Sequence, residues 1–350
     1  LLLETMRKQG LQKEALGLEA TEDQRQRCLA RPGMTEGKLD FLLSQQMSPA
    51  ERAAYADFVV DSSPRGLGLA ASLSVARAKV ADIVQRLLDR HGGPWPIASI
   101  RESHPGTAIE CVTFDLDDTL FPTKASLGKA LVAFRAAVAR LAPKLWEHCG
   151  QGATFGEAMQ DAFRAVAREN SRLRHDFSQL RRLALERLLA RVDEVNSEEI
   201  IEQALNAFLS ARGDVEQHLF EDVLPTLKEL KQRGLRIGSV TNGNAELSLH
   251  APRLSELLDF QISSANAGAP KPRAAPFLAS AAAAGTWPCQ VLHVGDSLAD
   301  DVLGAKRMGM KAVHLRRGTV KDDAQATSAA PDASIASLSE LPALLTSWNE

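Results

Sequence analysis

Cysteine, tyrosine and long apolar runs are scarce in this sequence, and each scarcity excludes a class of protein. The 350 residues include four cysteines and a single tyrosine. No two cysteines form a Cys-x-x-Cys pair, which argues against a disulfide framework or a zinc site and favours a reduced, intracellular protein. No apolar stretch approaches the roughly 20 residues that cross a bilayer, so we expect no membrane partner. The net charge of -3 likewise predicts no nucleic-acid partner.

The start of the chain also lacks a recognisable signal. The first residue is Leu1 rather than methionine, and no signal-peptide pattern follows it. We therefore expect a piece of a longer protein, or one whose true start has been lost. The expected compartment is the cytoplasm, with an organelle as the alternative because we expect the true amino terminus to be missing.

What is present divides the chain into three zones. Residues 1–92 are mostly helical in pattern, and the stretch at 93–108, which contains Gly and Pro, is predicted to be a linker. From there onward, short apolar runs alternate with helical patterns, which predicts an α/β fold with a parallel sheet. The residues at 122–219 carry apolar side chains at helical spacing and no strand signal, which predicts a helical insertion. The core is predicted to consist of 109–121 and 220–350, with strands at 109–114, 235–240, 291–295 and 311–315 and a last short strand and helix within 331–350.

Three carboxylates crowd the end of the first of these strands, in the stretch CVTFDLDDTLF. Ligands of open α/β sheets bind beyond the carboxyl ends of the strands, which is where Asp115 and Asp117 fall. Side chains two residues apart on an extended chain point to the same side. Such a cluster is typical of a site that holds a hard cation. The alternative is a solvated acidic turn.

Polar side chains also follow the later strands. GSVTNGN ends one strand with a hydroxyl and an amide suited to phosphate oxygens, and a Lys-Pro pair supplies a cation in the next loop. VLHVGDSLADD ends another strand with further acids. Each feature alone is weak evidence for a functional site, but the order of these features along the chain is specific. The candidate residues are Thr241, Asn242, Lys271, Asp296, Asp300 and Asp301.

This ordered set resembles the haloacid dehalogenase (HAD) superfamily over residues 109–350. Four motifs carry the resemblance: DLDDT at 115–119, Thr241, Lys271 and GDS at 295–297. The resemblance implies a Rossmann-like core and an inserted α-helical cap of the C1 type, here at 122–219. It also implies a hydrolase whose reaction takes place at the carboxyl ends of the strands.

The resemblance assigns a role to each motif. Asp115 would attack phosphorus and form an aspartyl-phosphate, which divides one difficult step into two. Asp117 would give a proton to the leaving oxygen and then take one from water. The charge on the transferred phosphoryl group would be stabilised by Thr241, Asn242 and Lys271.

The cofactor implied by the resemblance is Mg²⁺. It would bind the Asp115 carboxylate, the backbone carbonyl of Asp117 and Asp296, with Asp300 and Asp301 in support. Dehalogenases of the superfamily lack the second acid of the first motif and need no metal, whereas Asp117 is present here. Phosphonatases use a cap lysine, and no lysine at 122–219 stands in a supporting pattern. The sequence therefore favours a phosphatase.

Finer similarities concern the substrate. CVTFDLDDTLF, SVTNGNAEL and LHVGDSLADDVLGAKRMGM resemble bacterial HAD phosphatases that act on FMN and on 5-amino-6-(5-phosphoribitylamino)uracil. His175, Asp176 and Arg181 also resemble that group, and helical spacing brings them within two turns as candidate substrate contacts of the cap. The alternative is a solvated face of an arginine-rich helix. We expect a small phosphorylated metabolite as the partner.

Residues 1–92 resemble the carboxy-terminal part of dephospho-CoA kinase. RQRCLARPGMTE and QMSPAERAAYADFVVD carry this resemblance. In that family Arg27 and Arg31 fall in the segment that closes over the phosphates of ATP. The resemblance implies a strand at 58–60 and a final helix at roughly 67–89.

The sequence departs from the kinases in two ways, which bear on its function. Residues 6–20 are predicted to be helical or irregular where the kinases have a strand, and no Gly-x₄-Gly-Lys-Ser/Thr phosphate loop occurs before residue 92. We therefore expect no kinase activity from this chain. One alternative is a fragment of a bifunctional kinase–phosphatase fusion in CoA biosynthesis, with its phosphate loop upstream of Leu1. The second is a non-catalytic scaffold that senses a ligand.

Overall fold

The computed structural model of the protein describes residues 16–19, 35–38, 58–61, 68–90, 108–150, 152–248, 250–317 and 330–349. Residues 93–107 of the linker predicted at 93–108 lie outside these residues, as do Arg27 and Arg31 of the kinase-like segment. Within the described segments, no helix combines the length and the apolar character needed to cross a bilayer.

The amino-terminal part contains two short strands and a long helix. β1 Leu16–Glu19 pairs in parallel with β2 Phe58–Asp61, and α1 spans Gly68–Arg90. The strand expected at 58–60 and the final helix are confirmed. The prediction that residues 6–20 are helical or irregular is wrong at β1. Pairing with β2, distant in sequence, decides the conformation of LGLE, because strand preference depends strongly on tertiary context.

Six further strands form the main sheet, and all their pairings are parallel. They are β3 Cys111–Phe114, β4 Arg236–Thr241, β5 Phe260–Ser263, β6 Val291–Gly295, β7 Lys311–Leu315 and β8 Ala333–Ile335. Their order is β5-β4-β3-β6-β7-β8, which confirms the predicted α/β fold with a Rossmann-like sheet. β3 pairs with β4 on one side and with β6 on the other. The carboxyl ends of these three strands therefore lie side by side.

Burial on both faces explains the apolar character of the central strand. Cys111, Val112 and Phe114 of β3 are fully buried. Because alternate residues of a strand point to opposite faces, Val112 and Phe114 join one hydrophobic cluster and Cys111 joins another, which also contains Phe277. A parallel sheet covered on both faces requires this near-continuous apolar run.

Five helices between β3 and β4 form the unit that we call the cap. They are α2 Thr123–Leu141, α3 Pro143–His148, α4 Ala153–Glu169, α5 Phe177–Leu189 and α6 Ser197–Gly213. The cap has its own hydrophobic cluster, in which the rings of Phe134 and Phe208 meet edge to face with centroids 6.2 Å apart. These helices occupy the predicted insertion, whose boundaries at 122 and 219 stay a prediction.

The remaining helices flank the sheet, and α1 contacts both the core and the cap. Ala71 of α1 is buried in the hydrophobic cluster of the cap, whereas Val84 packs against the core. Gly268 approaches the backbone of Arg77 so closely that a side chain there would collide, and its φ of 77° also favours glycine. The flanking helices are α7 Val223–Gln232, α8 Pro252–Ser255, α9 Ser264–Ala267, α10 Ala274–Ala284, α11 Leu303–Arg307 and α12 Leu341–Asn349.

Candidate active site

The residues predicted for catalysis meet in one pocket at the carboxyl ends of β3, β4 and β6. The pocket has a volume of about 280 Å³. Strand pairing explains the meeting, because residues that directly follow neighbouring parallel strands share one edge of the sheet. The pocket is lined by Asp115, Asp117, Asp118, Thr241, Asn242, Gly243, Lys271, Asp296, Ser297, Asp300 and Asp301.

Asp115 and Lys271 form a buried ion pair at the base of this pocket. Lys271 Nζ donates to Asp115 Oδ1 at 2.6 Å, to Asp301 Oδ1 at 2.6 Å and to the Val240 carbonyl at 2.7 Å. Burial raises the pKa of Asp115, although the Lys271 ammonium opposes that shift. Burial alone would lower the pKa of Lys271, but the two carboxylates raise it instead. Lys271 is therefore a fixed cation with all three of its donors in use.

Asp301 is held by a network that sequence reasoning missed. Its carboxylate accepts from Lys271 and from the backbone N–H of Ser297, and lies 3.0 Å from His293 Nε2. The other ring nitrogen of His293 bonds to the Thr113 hydroxyl at 2.9 Å. Burial would raise the pKa of Asp301, yet Lys271 and His293 hold it below its ordinary value. The available signal was a histidine inside an otherwise apolar strand, VLHVG.

Three carboxylates in the pocket could share a cation. One oxygen each of Asp115, Asp296 and Asp301 lie within 4.8 Å of one another. Such a set of oxygen donors fits a hard cation such as Mg²⁺. Asp115 and Asp296 were predicted as ligands, whereas Asp301 was predicted only to support them. Binding through the backbone carbonyl of Asp117 stays a prediction.

The loop after β4 shapes the opposite wall. The Thr241 hydroxyl accepts from the backbone N–H of Gly243 at 2.9 Å. The Asn242 side chain accepts from the Lys271 backbone N–H at 2.7 Å, and it donates to the Lys271 carbonyl and to Asp300 Oδ2. Asn242 therefore positions the loop that carries Lys271. A direct contact of the Asn242 side chain with phosphate stays a prediction.

Asp117 is bound by an arginine of the cap. Nη2 of Arg212, in the last turn of α6, donates to both carboxylate oxygens of Asp117, at 2.6 and 2.5 Å. Arg212 is 2% exposed. Sequence reasoning missed this residue, although a signal existed: Ala204, Phe208 and Arg212 follow one another at intervals of four and share the buried face of α6.

Two of the three cap candidates lie at the contact with α1. Asp176 accepts from the Ser74 hydroxyl at 2.7 Å and from the Gln179 backbone N–H at 3.0 Å, as the residue that caps α5. His175 Nε2 lies 3.1 Å from the same hydroxyl, and the Ser264 hydroxyl donates to its carbonyl at 2.6 Å. Neither residue lines the pocket. A role in substrate binding stays a prediction, whereas both residues link α1 to the cap.

The third candidate, Arg181, belongs to α5 and, like the other two, does not line the pocket. Its guanidinium carbon is 3.7 Å from the centroid of the Phe208 ring. Burial, followed by the charge of Arg212, lowers the pKa of Arg181 to about 10. Its Nη1 atom is buried and makes no hydrogen bond within the described residues. Nearby on the same helix, Ser178 accepts from the Asn244 side chain, which joins α5 to the loop after β4.

A family model for haloacid dehalogenase-like hydrolases matches residues 109–309. The matched segment is more than half of the chain and contains all four motifs. The chain belongs to the haloacid dehalogenase-like hydrolases. The predicted HAD resemblance is thereby confirmed.

Two curated phosphatases match this HAD hydrolase at 28% identity. One is the glyceraldehyde 3-phosphate phosphatase of Methanopyrus kandleri, aligned over 226 residues that cover 61% of this chain and 87% of the relative. The other is 5-amino-6-(5-phospho-D-ribitylamino)uracil phosphatase YigB of Escherichia coli, aligned over 222 residues that cover 62% and 87%. The predicted similarity to phosphatases of this group is confirmed. The two relatives are named for different substrates.

The amino-terminal part is similar to dephospho-CoA kinases, as predicted. The enzyme of Agrobacterium fabrum is 45% identical over 87 residues, which are 25% of this chain and 41% of the kinase. This HAD hydrolase therefore spans about two fifths of that kinase's length.

A solved structure supports the fold assignment. The crystal structure of a 2-haloacid dehalogenase from Pseudomonas syringae shares 32% sequence identity and a TM-score of 0.59. The match covers 69% of this HAD hydrolase and 99% of the dehalogenase. The core and the cap therefore belong to one known architecture.

Proposed function

We propose that the protein is a Mg²⁺-dependent phosphomonoester hydrolase that acts on a small phosphorylated metabolite through an aspartyl-phosphate. One observation carries the proposal: Asp115 and Asp117 follow the central strand in a pocket that also holds Lys271 and the carboxylates of Asp296 and Asp301, which could share a cation with Asp115. The names of the two phosphatase relatives support the same reaction class.

The first half of the reaction transfers the phosphoryl group to the enzyme. An oxygen of Asp115 attacks phosphorus, and the bond between phosphorus and the leaving oxygen breaks. Asp117 gives a proton to that oxygen, so the product leaves as an alcohol. Lys271 and the Thr241 hydroxyl stabilise the charge on the phosphoryl oxygens during transfer.

The second half releases inorganic phosphate. Water attacks the phosphorus of the aspartyl-phosphate and gives its proton to the Asp117 carboxylate, and the bond to Asp115 breaks. Asp115 and Asp117 then return to their starting states. Asp115 and Asp296 would hold Mg²⁺, with Asp301 beside them, and the cation would offset the charge of the carboxylates and of the phosphoryl group.

Dehalogenation is the alternative raised by the name of the structural relative. It would use Asp115 as the nucleophile but leave Asp117 without a proton to transfer, because a halide departs as an anion. The paired carboxylates and the Mg²⁺-compatible cluster therefore favour phosphate ester hydrolysis. Chloride release from 2-chloropropionate without a divalent cation, in place of phosphatase activity, would favour dehalogenation.

The physiological substrate is proposed from the relatives and from the cap. The ribitylaminouracil phosphate is the first candidate, because the chain resembles YigB along most of that enzyme's length. FMN is a candidate from the sequence resemblance alone. Arg181 is the proposed contact for a polar or anionic part of the substrate, because its buried guanidinium retains a donor without a partner in the described structure.

The experiment is a screen of phosphorylated metabolites with the full chain. Phosphate release is measured with and without Mg²⁺ for FMN, sugar phosphates, nucleotides, dephospho-CoA and p-nitrophenyl phosphate. We expect Mg²⁺-dependent release from p-nitrophenyl phosphate and a clear preference for one metabolite. A chain that folds but releases phosphate from none of these compounds would favour the non-catalytic scaffold.

We propose that this chain has no kinase activity and that such activity would require a longer protein. The similarity to dephospho-CoA kinase covers less than half of that enzyme, and no phosphate loop precedes residue 92. We expect no ATP-dependent formation of CoA from this chain, measured after removal of contaminating kinase.

A further inference from the structure

The cap supplies a charged partner to the proposed acid–base residue. Arg212 Nη2 donates to both oxygens of Asp117. The side chain of Arg212 is almost completely buried, so bulk ions screen this pair little. A charge-assisted contact to both oxygens fixes the orientation of a carboxylate as well as its position.

A second hydrogen bond ties Arg212 to the other end of the cap. Nη1 of Arg212 donates to the Ser126 hydroxyl at 2.5 Å. Ser126 lies in the first turn of α2, where the chain enters the cap, and Arg212 lies in the last turn of α6, where the chain leaves it. Both connections between the core and the cap therefore meet beside the Asp117 carboxylate.

The core also packs closely against Asp117. A Cβ atom at Gly243 would lie 2.6 Å from Asp117 Oδ2 and 3.2 Å from Arg212 Nη2. The backbone of the loop after β4 thus packs directly against the ion pair, and a side chain there would push the two groups apart. The carboxylate therefore lies close to both the cap arginine and the core backbone.

We propose that Arg212 is a positioning residue for the proton transfers of Asp117, an inference that rests on the proposed phosphatase function. In the first transfer one oxygen of the Asp117 carboxyl keeps the bond from Arg212, and the other carries the proton that passes to the leaving oxygen while Asp115 forms its bond to phosphorus. Arg212 holds the same group where the attacking water later loses a proton. Because Arg212 belongs to the cap, correct placement of Asp117 depends on the position of the cap.

Leaving groups of different basicity test this role. The alkoxide of glycerol 3-phosphate needs a proton to depart, whereas p-nitrophenolate departs without one. kcat/KM reports the steps up to departure of the leaving group, so it isolates the first proton transfer. For Arg212→Gln we expect kcat/KM to fall about 100-fold with glycerol 3-phosphate, within the range of general acid catalysis, and about threefold or less with p-nitrophenyl phosphate.

A double-mutant cycle separates positioning from a general structural effect. If Arg212 acts through Asp117, then Arg212→Gln should cause no further loss with glycerol 3-phosphate when Asp117→Asn is already present. Two independent effects would instead multiply. A loss of the same factor in both backgrounds would overturn the proposal.

Control variants cover failure to fold. Arg187→Gln is the control variant, because Arg187 is another cap arginine and forms an ion pair with Glu169 on the cap surface. This substitution should leave kcat/KM for both esters unchanged. If Arg212→Gln does not fold, Arg212→Lys is tested instead, because lysine keeps the positive charge but lacks the planar guanidinium group. We again expect kcat/KM to fall selectively with glycerol 3-phosphate. Equal losses on both esters in a folded Arg212 variant would overturn the proposal. Failure of the proposed function would be seen differently, as wild-type turnover in Asp115→Asn.

Discussion

Replacing Ser74 by alanine tests whether α1 is an integral part of the phosphatase. The Ser74 hydroxyl donates to Asp176 Oδ2 at 2.7 Å, a contact that joins α1 to the turn before α5. Ser74, His175 and Asp176 are 2%, 4% and 6% exposed, so water cannot readily replace the lost donor. Asp176 keeps its bond from the Gln179 backbone but loses one of these two partners.

The expected loss of stability follows from the charge of the acceptor. A hydrogen bond to a charged group contributes about 1.5–3 kcal/mol, and an oxygen left without its donor in a buried site costs a similar amount. We therefore expect Ser74→Ala to lower the free energy of unfolding by about 1.5–3 kcal/mol. Ser248→Ala is the matched control, because the exposed Ser248 hydroxyl also donates to a carboxylate, that of Glu246, at 2.9 Å. The control should change stability by about 0.5 kcal/mol or less.

Urea unfolding of the three proteins measures both values. The midpoint should shift for Ser74→Ala while the slope stays constant, because the fold and its buried area are unchanged. Identical midpoints for Ser74→Ala and Ser248→Ala would refute the docking of α1 against the cap. They would also return His175 and Asp176 to consideration as substrate contacts.

Three further predictions concern the nucleophile, the metal and the cap. Asp115→Asn keeps the shape but removes the attacking charge, so turnover should fall at least about a thousandfold, or roughly 4 kcal/mol; near-normal phosphate release would contradict covalent catalysis. EDTA should abolish turnover, and added Mg²⁺ should restore it. Asp296→Asn should raise the Mg²⁺ concentration that gives half of the maximal rate, because one oxygen ligand loses its charge. Arg181→Ala should lower kcat/KM for the preferred metabolite about tenfold or more through loss of a charged hydrogen bond. With p-nitrophenyl phosphate that variant should match the wild type, and equal losses on both substrates would assign Arg181 to the fold.

Two carboxylates of the pocket, Asp115 and Asp296, could be predicted because each directly follows its own strand. Asp115 follows β3 and Asp296 follows β6, and strand neighbours in a parallel sheet bring such positions together without further information. Thr241 ends β4 for the same reason. The edge strand β5, with the sequence FQIS, was missed because it is half-buried and carries no continuous apolar run.

The partners of these residues could not be predicted, because they come from distant parts of the chain. Arg212 is 95 residues from Asp117, and Ser74 is 102 residues from Asp176. Helical spacing was expected to bring His175 and Asp176 within two turns of Arg181, but α5 begins after both residues, and the spacing gave no information about which groups they contact. Only the packing of α1 shows that two of these polar groups have a structural partner.

Helix α1 joins the cap through Ser74 and the core through Asp82, which forms an ion pair with Arg273 at 2.7 Å. Any rotation that opens the cap must break one of these contacts, so cap opening and partial release of the helix are linked equilibria. Backbone amides of α1 should exchange with deuterium through such release, and a substrate that holds the cap closed should slow their exchange. Deuterium exchange in α1, which belongs to the segment similar to dephospho-CoA kinase, would thereby report on opening and closing of the cap, at residues that lie outside the pocket.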